Sequence, residues 1–522
     1  MLMTDCDVLL VGGGHNGLVC AAYLARAGKK VTVLEAAEQP GGCAATREFA
    51  PGYSVSSCAH WLYQLHPEII RDLGLESHGL RWAARELSTV SLDSAGDHMV
   101  VLGDSARGGG ISADDLAAYR RFRQKMLKYA RLLAVAFTAR APKLVESNLT
   151  DRLTLARLGL GMKRMGKEDM SDLMRMILIN MYDVMEENFD NPGLKALLSL
   201  EGVLGAHMGP RSPNTVFGYL YRLVGEVFEF TGPAQVSGGM GVLGQAMAAS
   251  ARAAGADVRT GARVERIDID AGRAVGVTLA GGEQLRAANV VSNADPVTTF
   301  ERLVGFRNLE TGMVRRVSQI RNRSGTAKLH LALDGVPSFT GLAPELLGHR
   351  LVIAPDMNYI ERAFNAVKYH ECSAAPIMDI SLASINDDSL APEGKHVLSA
   401  IVQFVPYEPA GGWEDRRQSY TDALVDCIAA YAPDIRQHLV ASELLTPADL
   451  ERDYGMTGGN WHHGELSLDQ VMMMRPFPGA TQYGTAIDGL YLCGAGAHPG
   501  GGLMGLAGRN AAKEILRRGS TA

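Results

Sequence analysis

Gly12, Gly14, Gly17 and Glu35 are the residues whose types and spacing most directly imply chemistry. The glycines stand in G-x-G-x-x-G order. In that order the first permits a tight turn, the second lets a pyrophosphate approach the backbone, and the third lets a helix pack closely on a strand. Glu35 follows about 20 residues on, where a carboxylate accepts hydrogen bonds from a ribose. His15 and Asn16, between the glycines, and Ala36, after the acid, fall within the same site. A glycine-rich turn that binds nothing can carry the same glycines, so the flanking residues decide. Val8, Leu9, Leu10 and Val11 read as a strand buried on both faces. Leu18, Ala21, Ala22, Leu24 and Ala25 then recur at helical period, and Gly28 ends the helix. A second short strand over 31–34 delivers Glu35. The helix N-terminus offers free N–H groups and partial positive charge to a pyrophosphate. Strand, turn, helix and acid together point to a dinucleotide site.

A second glycine cluster closes the chain. Between Gly489 and Gly508 a buried strand runs into a glycine loop that holds Gly494, Gly500, Gly501, Gly502 and Leu503, and the loop opens a last helix. Such a helix N-terminus suits a group that gains negative charge during reaction. The candidates for moving protons are His60, Tyr63, His463, Glu465 and His498. His463 and Glu465, two apart in a polar loop, have the spacing of an acid–base pair, and His498 sits inside the C-terminal glycine loop. Each is equally explained as a loop residue that hydrogen-bonds backbone. The His462-His463 pair has no further ligands at metal spacing, so no metal is expected.

Around these residues the chain alternates between two patterns. Ser112 with Asp115 reads as a capping box that opens a long helix to about Arg140. Residues 150–190 read as helical and hold Met162, Met165, Met170, Met174, Met176, Met181 and Met185, with Lys163, Arg164, Lys167 and Arg175 among them. An adaptable core with a solvated face has this composition, and so has an apolar tunnel or a membrane-facing surface. From 235 the α/β pattern resumes, with strands over 264–269 and 274–279. Gly239, Gly241 and Gly244 repeat the glycine spacing, but Pro233 to Ser237 does not read as a buried strand and no acid follows at the right distance. A second nucleotide domain is therefore not expected. Residues 52–63 read as a polar, aromatic loop. Strands over 328–333, 377–383 and 396–404 and a helix over 415–431 complete the pattern. The fold class is α/β: a discontinuous Rossmann-type domain (1–80, 235–300, 480–522) and an α+β substrate domain (81–234, mostly helical, and 301–479).

Composition narrows the function. The chain has 522 residues, 47% hydrophobic and 21% charged, as in ordinary globular domains. A net charge of −6 gives no electrostatic case for nucleic acid. Seven scattered cysteines without a C-x-x-C pair suit a reducing compartment. Cys43 invites comparison with the C-x4-C pair of dithiol flavoenzymes, but the partner position is Glu48, so Cys43 is expected to be a packed residue. The first strand begins close to Met1, so no signal segment is expected, and the expected location is cytoplasmic.

The stretches VGGGHNGLVCAAYLARAG, the PGG of Pro40 to Gly42, GGMGVLGQAM, VVSNADP, GNWHHGELSLDQ, MRPFPGATQYGT and LYLCGAGAHPGGGLMGLAGRNAA resemble, in order, the phytoene desaturase-like FAD oxidoreductases of the amine-oxidase-type fold. The resemblance spans nearly the whole chain and implies FAD as cofactor. It implies that Glu35 meets the ribose, that the backbone of Val264 meets the adenine, and that Gly41, Gly42 and the Gly500–Gly502 loop approach the cofactor. Relatives usually have arginine after the Gly-Gly pair, where this chain has Cys43; Arg47 is the expected substitute.

The implied activity is removal of a hydride from a C–H bond with loss of a neighbouring proton, as in a desaturase, dehydrogenase or oxidase. Oxygen, a quinone or another acceptor then takes the electrons. The expected substrate is a largely apolar small molecule in a tunnel between the domains, with a peripheral contact at an anionic membrane surface. Two alternatives share the fold: redox-neutral polyene isomerisation, and the escort proteins that bind a prenylated partner without redox chemistry. The residues do not fix the oligomeric state.

Overall fold

The computed structural model describes residues 5–519. Its first sheet is assembled from three separated stretches of chain. Asp257–Arg259, Val31–Leu34, Cys6–Val11 and Gln284–Ser292 lie side by side in parallel, and Leu490–Leu492 extends the parallel set on the far side of Gln284–Ser292. The other end of Gln284–Ser292 turns into an antiparallel meander with Arg273–Leu279 and Val264–Asp270. Residues of Cys6–Val11 and Val31–Leu34 are almost all buried because helices cover both faces. One of those helices, His15–Arg26, begins directly after the glycine turn. Gly17 shows why the turn needs glycine: a Cβ there would stand 2.4 Å from the Gly12 carbonyl oxygen. The C-terminal helix Leu506–Gly519 packs on His15–Arg26, and Gly508 plays the same role against the Asn16 carbonyl, with a Cβ at 2.0 Å.

The second sheet has eight strands in the order Leu439–Leu445, Thr326–Leu333, His396–Gln403, Ile377–Ser381, Arg350–Ile353, Thr89–Ser91, Met99–Leu102 and Ser105–Gly108. Thr326–Leu333, TAKLHLAL, is buried at every position although it carries a lysine and a histidine. The expected capping box is formed in part: the Ser112 hydroxyl accepts from the Asp115 N–H and opens the helix Ala113–Thr138.

The structure refines the expected pattern of elements at three places. Residues 53–56 form a strand, pairing with Thr46–Ala50, rather than a loop. Residues 82–108 contribute four short strands before the helices begin. Gln235–Val236 is buried and pairs with Trp82–Ala84, outside the first sheet. This pairing leaves the second glycine motif without the strand a nucleotide site needs.

Candidate active site

A cavity of about 940 Å³ runs from the glycine turn to the second sheet. Of the residues expected to bind the cofactor, Gly12, Gly14, His15, Asn16, Glu35, Ala36, Gly42, Arg47, Val264, Gly502 and Leu503 line it. Gly17 and Gly494 do not. They are packing residues, Gly494 because a Cβ would stand 2.3 Å from the Asn293 carbonyl oxygen. Gly41 holds the loop by donating its N–H to the Gly13 carbonyl, 2.8 Å. Gly500 faces the Tyr221 hydroxyl, and Gly501 gives its carbonyl to that hydroxyl at 2.7 Å.

The nucleotide end fits a dinucleotide by its unmet polar groups. Gly14, the residue before the helix, offers no side-chain cap, and it lines the cavity together with His15 and Asn16, so the helix N-terminus lies at the cavity wall. A Cβ on Gly14 would stand 2.6 Å from the Asn293 side-chain amide nitrogen. Asn16 is 1% exposed, yet neither amide atom has a partner within the protein, and the His15 Nε2 is also unpaired. Burial pushes the His15 imidazole down to about 3, so the ring is neutral. The Glu35 carboxylate is held rigidly: Oε2 accepts from the Gly13 N–H at 2.7 Å and Oε1 from the Ala37 N–H at 2.8 Å. Each oxygen keeps a lone pair for a hydroxyl. Arg47 lines the cavity while donating to Glu443 Oε2 at 2.5 Å and to the Tyr454 hydroxyl at 3.3 Å, which ties it to the second sheet.

At the other end the cavity meets a chain of buried charges that the sequence did not reveal. The Lys328 Nζ stands 3.0 Å from His60 Nδ1. His60 Nε2 faces Asp379 Oδ1 at 3.6 Å, and the Trp61 indole N–H donates to the same oxygen at 3.0 Å. Asp379 Oδ2 accepts from Arg350 Nε at 2.9 Å, and Arg350 also donates to Glu201. Glu201 accepts from Arg222 Nε at 2.6 Å, and Arg222 donates to the Tyr63 hydroxyl at 2.5 Å with its guanidinium 4.4 Å from the ring centre. Lys328, His60, Asp379, Arg222 and Tyr63 all line the cavity, with Leu204, Ile401 and Trp461 as apolar neighbours. Arg350 holds the Asp379 carboxyl well below the usual range against a burial that would raise it. Burial pushes Lys328 down to about 7 and His60 to about 4. The signal for Lys328 was a lysine inside a mostly apolar strand, where a buried charge costs free energy unless it has a use or a partner.

The remaining proton-handling candidates separate. His463 lines the cavity, with its Nδ1 unpaired. Glu465 does not form a pair with it; its carboxylate accepts from Arg321 Nε at 3.2 Å, outside the cavity. His498 is also outside: its Nε2 bonds the Ala136 carbonyl at 3.0 Å and its ring packs on Phe137, which ties the glycine loop to the end of Ala113–Thr138. The loop carrying His463 is fixed by Arg475. This buried guanidinium donates to the carbonyls of Gln470 at 2.9 Å and Ala495 at 2.9 Å, and to that of His462. Cys43 and Cys58 line the cavity with their thiols in contact, and burial pushes the Cys58 thiol up, away from a reactive thiolate. The methionine-rich segment does not reach the cavity. Met176, Met181 and Met185 are core residues, in line with the adaptable-core reading, and the alternative of a methionine-lined tunnel finds no methionine of this segment in the cavity wall.

A Rossmann-type sheet with a glycine turn, a rigidly held acid at Glu35 and a long cavity ending on a second sheet is the architecture of a dinucleotide-binding protein. The chain belongs to the flavin containing amine oxidoreductase family, which matches residues 17–516. FAD is accordingly its cofactor and the protein an FAD-dependent oxidoreductase. It is 35% identical over 549 residues to pyridine nucleotide-disulfide oxidoreductase domain-containing protein 2 of Rattus norvegicus, covering 99% of this chain and 94% of that one. It is 28% identical to a limonene dehydrogenase subunit of Castellaniella defragrans, over 98% and 95% of the two chains. Putrescine oxidase bound to putrescine shares the fold, with a TM-score of 0.62 at 16% identity, over 98% of this chain and 99% of the other.

Proposed function

We propose that this oxidoreductase removes a hydride from a C–H bond of a largely apolar small molecule, with loss of a proton to Lys328. FAD, when bound, supplies the hydride acceptor. Glu35, Gly14 and the N-terminus of His15–Arg26 hold the nucleotide, and Arg47, His463, Gly502 and Leu503 border it. The substrate body lies against Trp61, Leu204, Ile401 and Trp461, with a polar group toward Tyr63 and Arg222. The single observation that carries the reading is Lys328, a buried amine with its pKa near 7 at the cavity wall. Such an amine is partly neutral at neutral pH and able to take a proton at Nζ. A charged Lys328 has only protons to give, so His60 accepts at Nδ1 and carries its own proton on Nε2, toward Asp379. Asp379, fixed by Arg350 and Trp61, stabilises that arrangement. Oxygen, a quinone or another acceptor reoxidises the protein, and an apolar substrate brings with it a peripheral membrane contact.

The test is anaerobic addition of limonene, of phytoene in detergent, and of putrescine to the FAD-loaded protein, with visible absorbance as readout. Bleaching by an apolar compound supports the reading. Bleaching by putrescine alone refutes it and makes the substrate a small polar amine.

A further inference from the structure

We infer that the helix Leu149–Met165 is a docking face for an anionic phospholipid surface. Leu149, Leu153 and Leu160 are 74%, 53% and 48% exposed, and Ala156 is exposed between them. Their offsets of 4, 7 and 11 from Leu149 place all four on one stripe. Arg152 and Lys163 run along one side of that stripe, Arg157 and Arg164 along the other, and all four are exposed. The opposite face, with Asp151, Thr154 and Gly161, packs on the body of the protein; a Cβ on Gly161 would stand 2.8 Å from Leu132.

The exposed stripe belongs to a helix that is held firmly. Asn148 and Asp151 form a complete capping box. The buried Arg140 donates to Asp151 at 2.9 Å and to Glu514 at 2.8 Å, and Gln482 donates to Asp151 at 2.8 Å. The flanking chain continues the exposure, with Leu144 at 64% and Val145 at 80% before the helix, and Met174 at 51% and Leu178 at 55% after it.

Charge selects the occupant. The helix Leu149–Met165 holds four basic side chains, Arg152, Arg157, Lys163 and Arg164, against one acid, the buried Asp151, in a chain whose net charge is −6. A second copy seated on this stripe would bring like charges together. An anionic bilayer would not: the leucines enter the headgroup boundary by about 5–10 Å while the long basic side chains reach back to phosphate. Among the described residues no helix is long and apolar enough to cross a membrane, so this contact lies on the surface. The helix supplies the face for the membrane contact proposed above and in that respect rests on that reading, but its test involves no substrate and stands apart from the reaction.

The FAD-loaded protein is sedimented with phosphatidylcholine vesicles and with vesicles containing phosphatidylglycerol. Binding is expected to the second only, weakening as salt is raised. Arg157→Gln and Lys163→Gln should each weaken it about fivefold. The Leu149→Ser, Leu153→Ser, Leu160→Ser variant should lose it while keeping its flavin. Trp emission of Leu153→Trp should shift to the blue on anionic vesicles. Failure to bind anionic vesicles overturns the inference. So does binding that the serine variant retains. A concentration-dependent dimer abolished by the serine variant, without vesicle binding, makes the stripe a self-association face instead.

Discussion

Lys328→Met separates a buried, near-neutral lysine from an ordinary one. Folding moves its pKa from 10.5 to about 7, because burial removes the water that stabilises the ammonium. The sign follows from proton uptake. Between these values the unfolded chain binds a proton that the folded chain lacks, so stability contributed at this site rises with pH. The cost is fully present below the folded value and disappears as pH rises to the unfolded one. It amounts to about 5 kcal/mol at pH 6 and about 2 kcal/mol at pH 9. Methionine has no such term. It leaves His60 Nδ1 without its partner, at about 1–3 kcal/mol, and because burial is the first cause of the lowered His60 pKa, with the Lys328 charge second, that loss changes little between the two pH values. The variant should therefore gain about 3 kcal/mol more over the native protein at pH 6 than at pH 9. Urea denaturation of both FAD-saturated proteins at the two pH values, followed by fluorescence and ellipticity together, reads this difference. An equal effect at both values refutes the depressed pKa. A variant that loses stability as pH falls would mean that the amine is a paired cation.

Glu35→Ala should weaken FAD binding by roughly 1.5–3 kcal/mol, since a charge-assisted bond is lost and the Gly13 and Ala37 N–H groups lose their acceptor; unchanged affinity in a flavin titration would mean the ribose lies elsewhere. Gly17→Ala places a methyl group 2.4 Å from the Gly12 carbonyl oxygen, and the overpacking should cost about 1–3 kcal/mol or more, seen as a lower Tm with flavin loss. A Tm like that of the native protein would contradict the tight helix–strand approach. Asp379→Asn takes the countercharge from Arg350 inside the buried chain and should destabilise by about 3–5 kcal/mol; a loss under about 1 kcal/mol would show that Glu201 alone suffices. Acid denaturation should leave the flavin in the supernatant, because no attachment motif surrounds Cys493 or His498; flavin in the pellet would reverse that expectation.

The strand, glycine turn and helix at the start of the chain were legible in the sequence because they are local. Strand, turn, helix and acid occupy Cys6 to Glu35, and each works through backbone geometry or a short hydrogen bond within that span. Strand and helix positions elsewhere followed from apolar periodicity, as at Val264–Asp270 and Thr326–Leu333. The charged far end of the cavity was not legible, because its residues are neighbours only after folding. His60 meets Lys328 across 268 positions, and Trp61 meets Asp379 across 318. Sequence proximity misled for His498 and Glu465: a place in the right loop does not fix which way a side chain turns, and backbone carbonyls and Arg321 claim them. The sequence by itself determined that a dinucleotide is expected at this end, since a pyrophosphate is held by local backbone, while FAD in particular followed from the family resemblance. Tertiary structure alone decided which buried amine faces the cavity, because burial sets its charge and burial is a property of the assembled sheets.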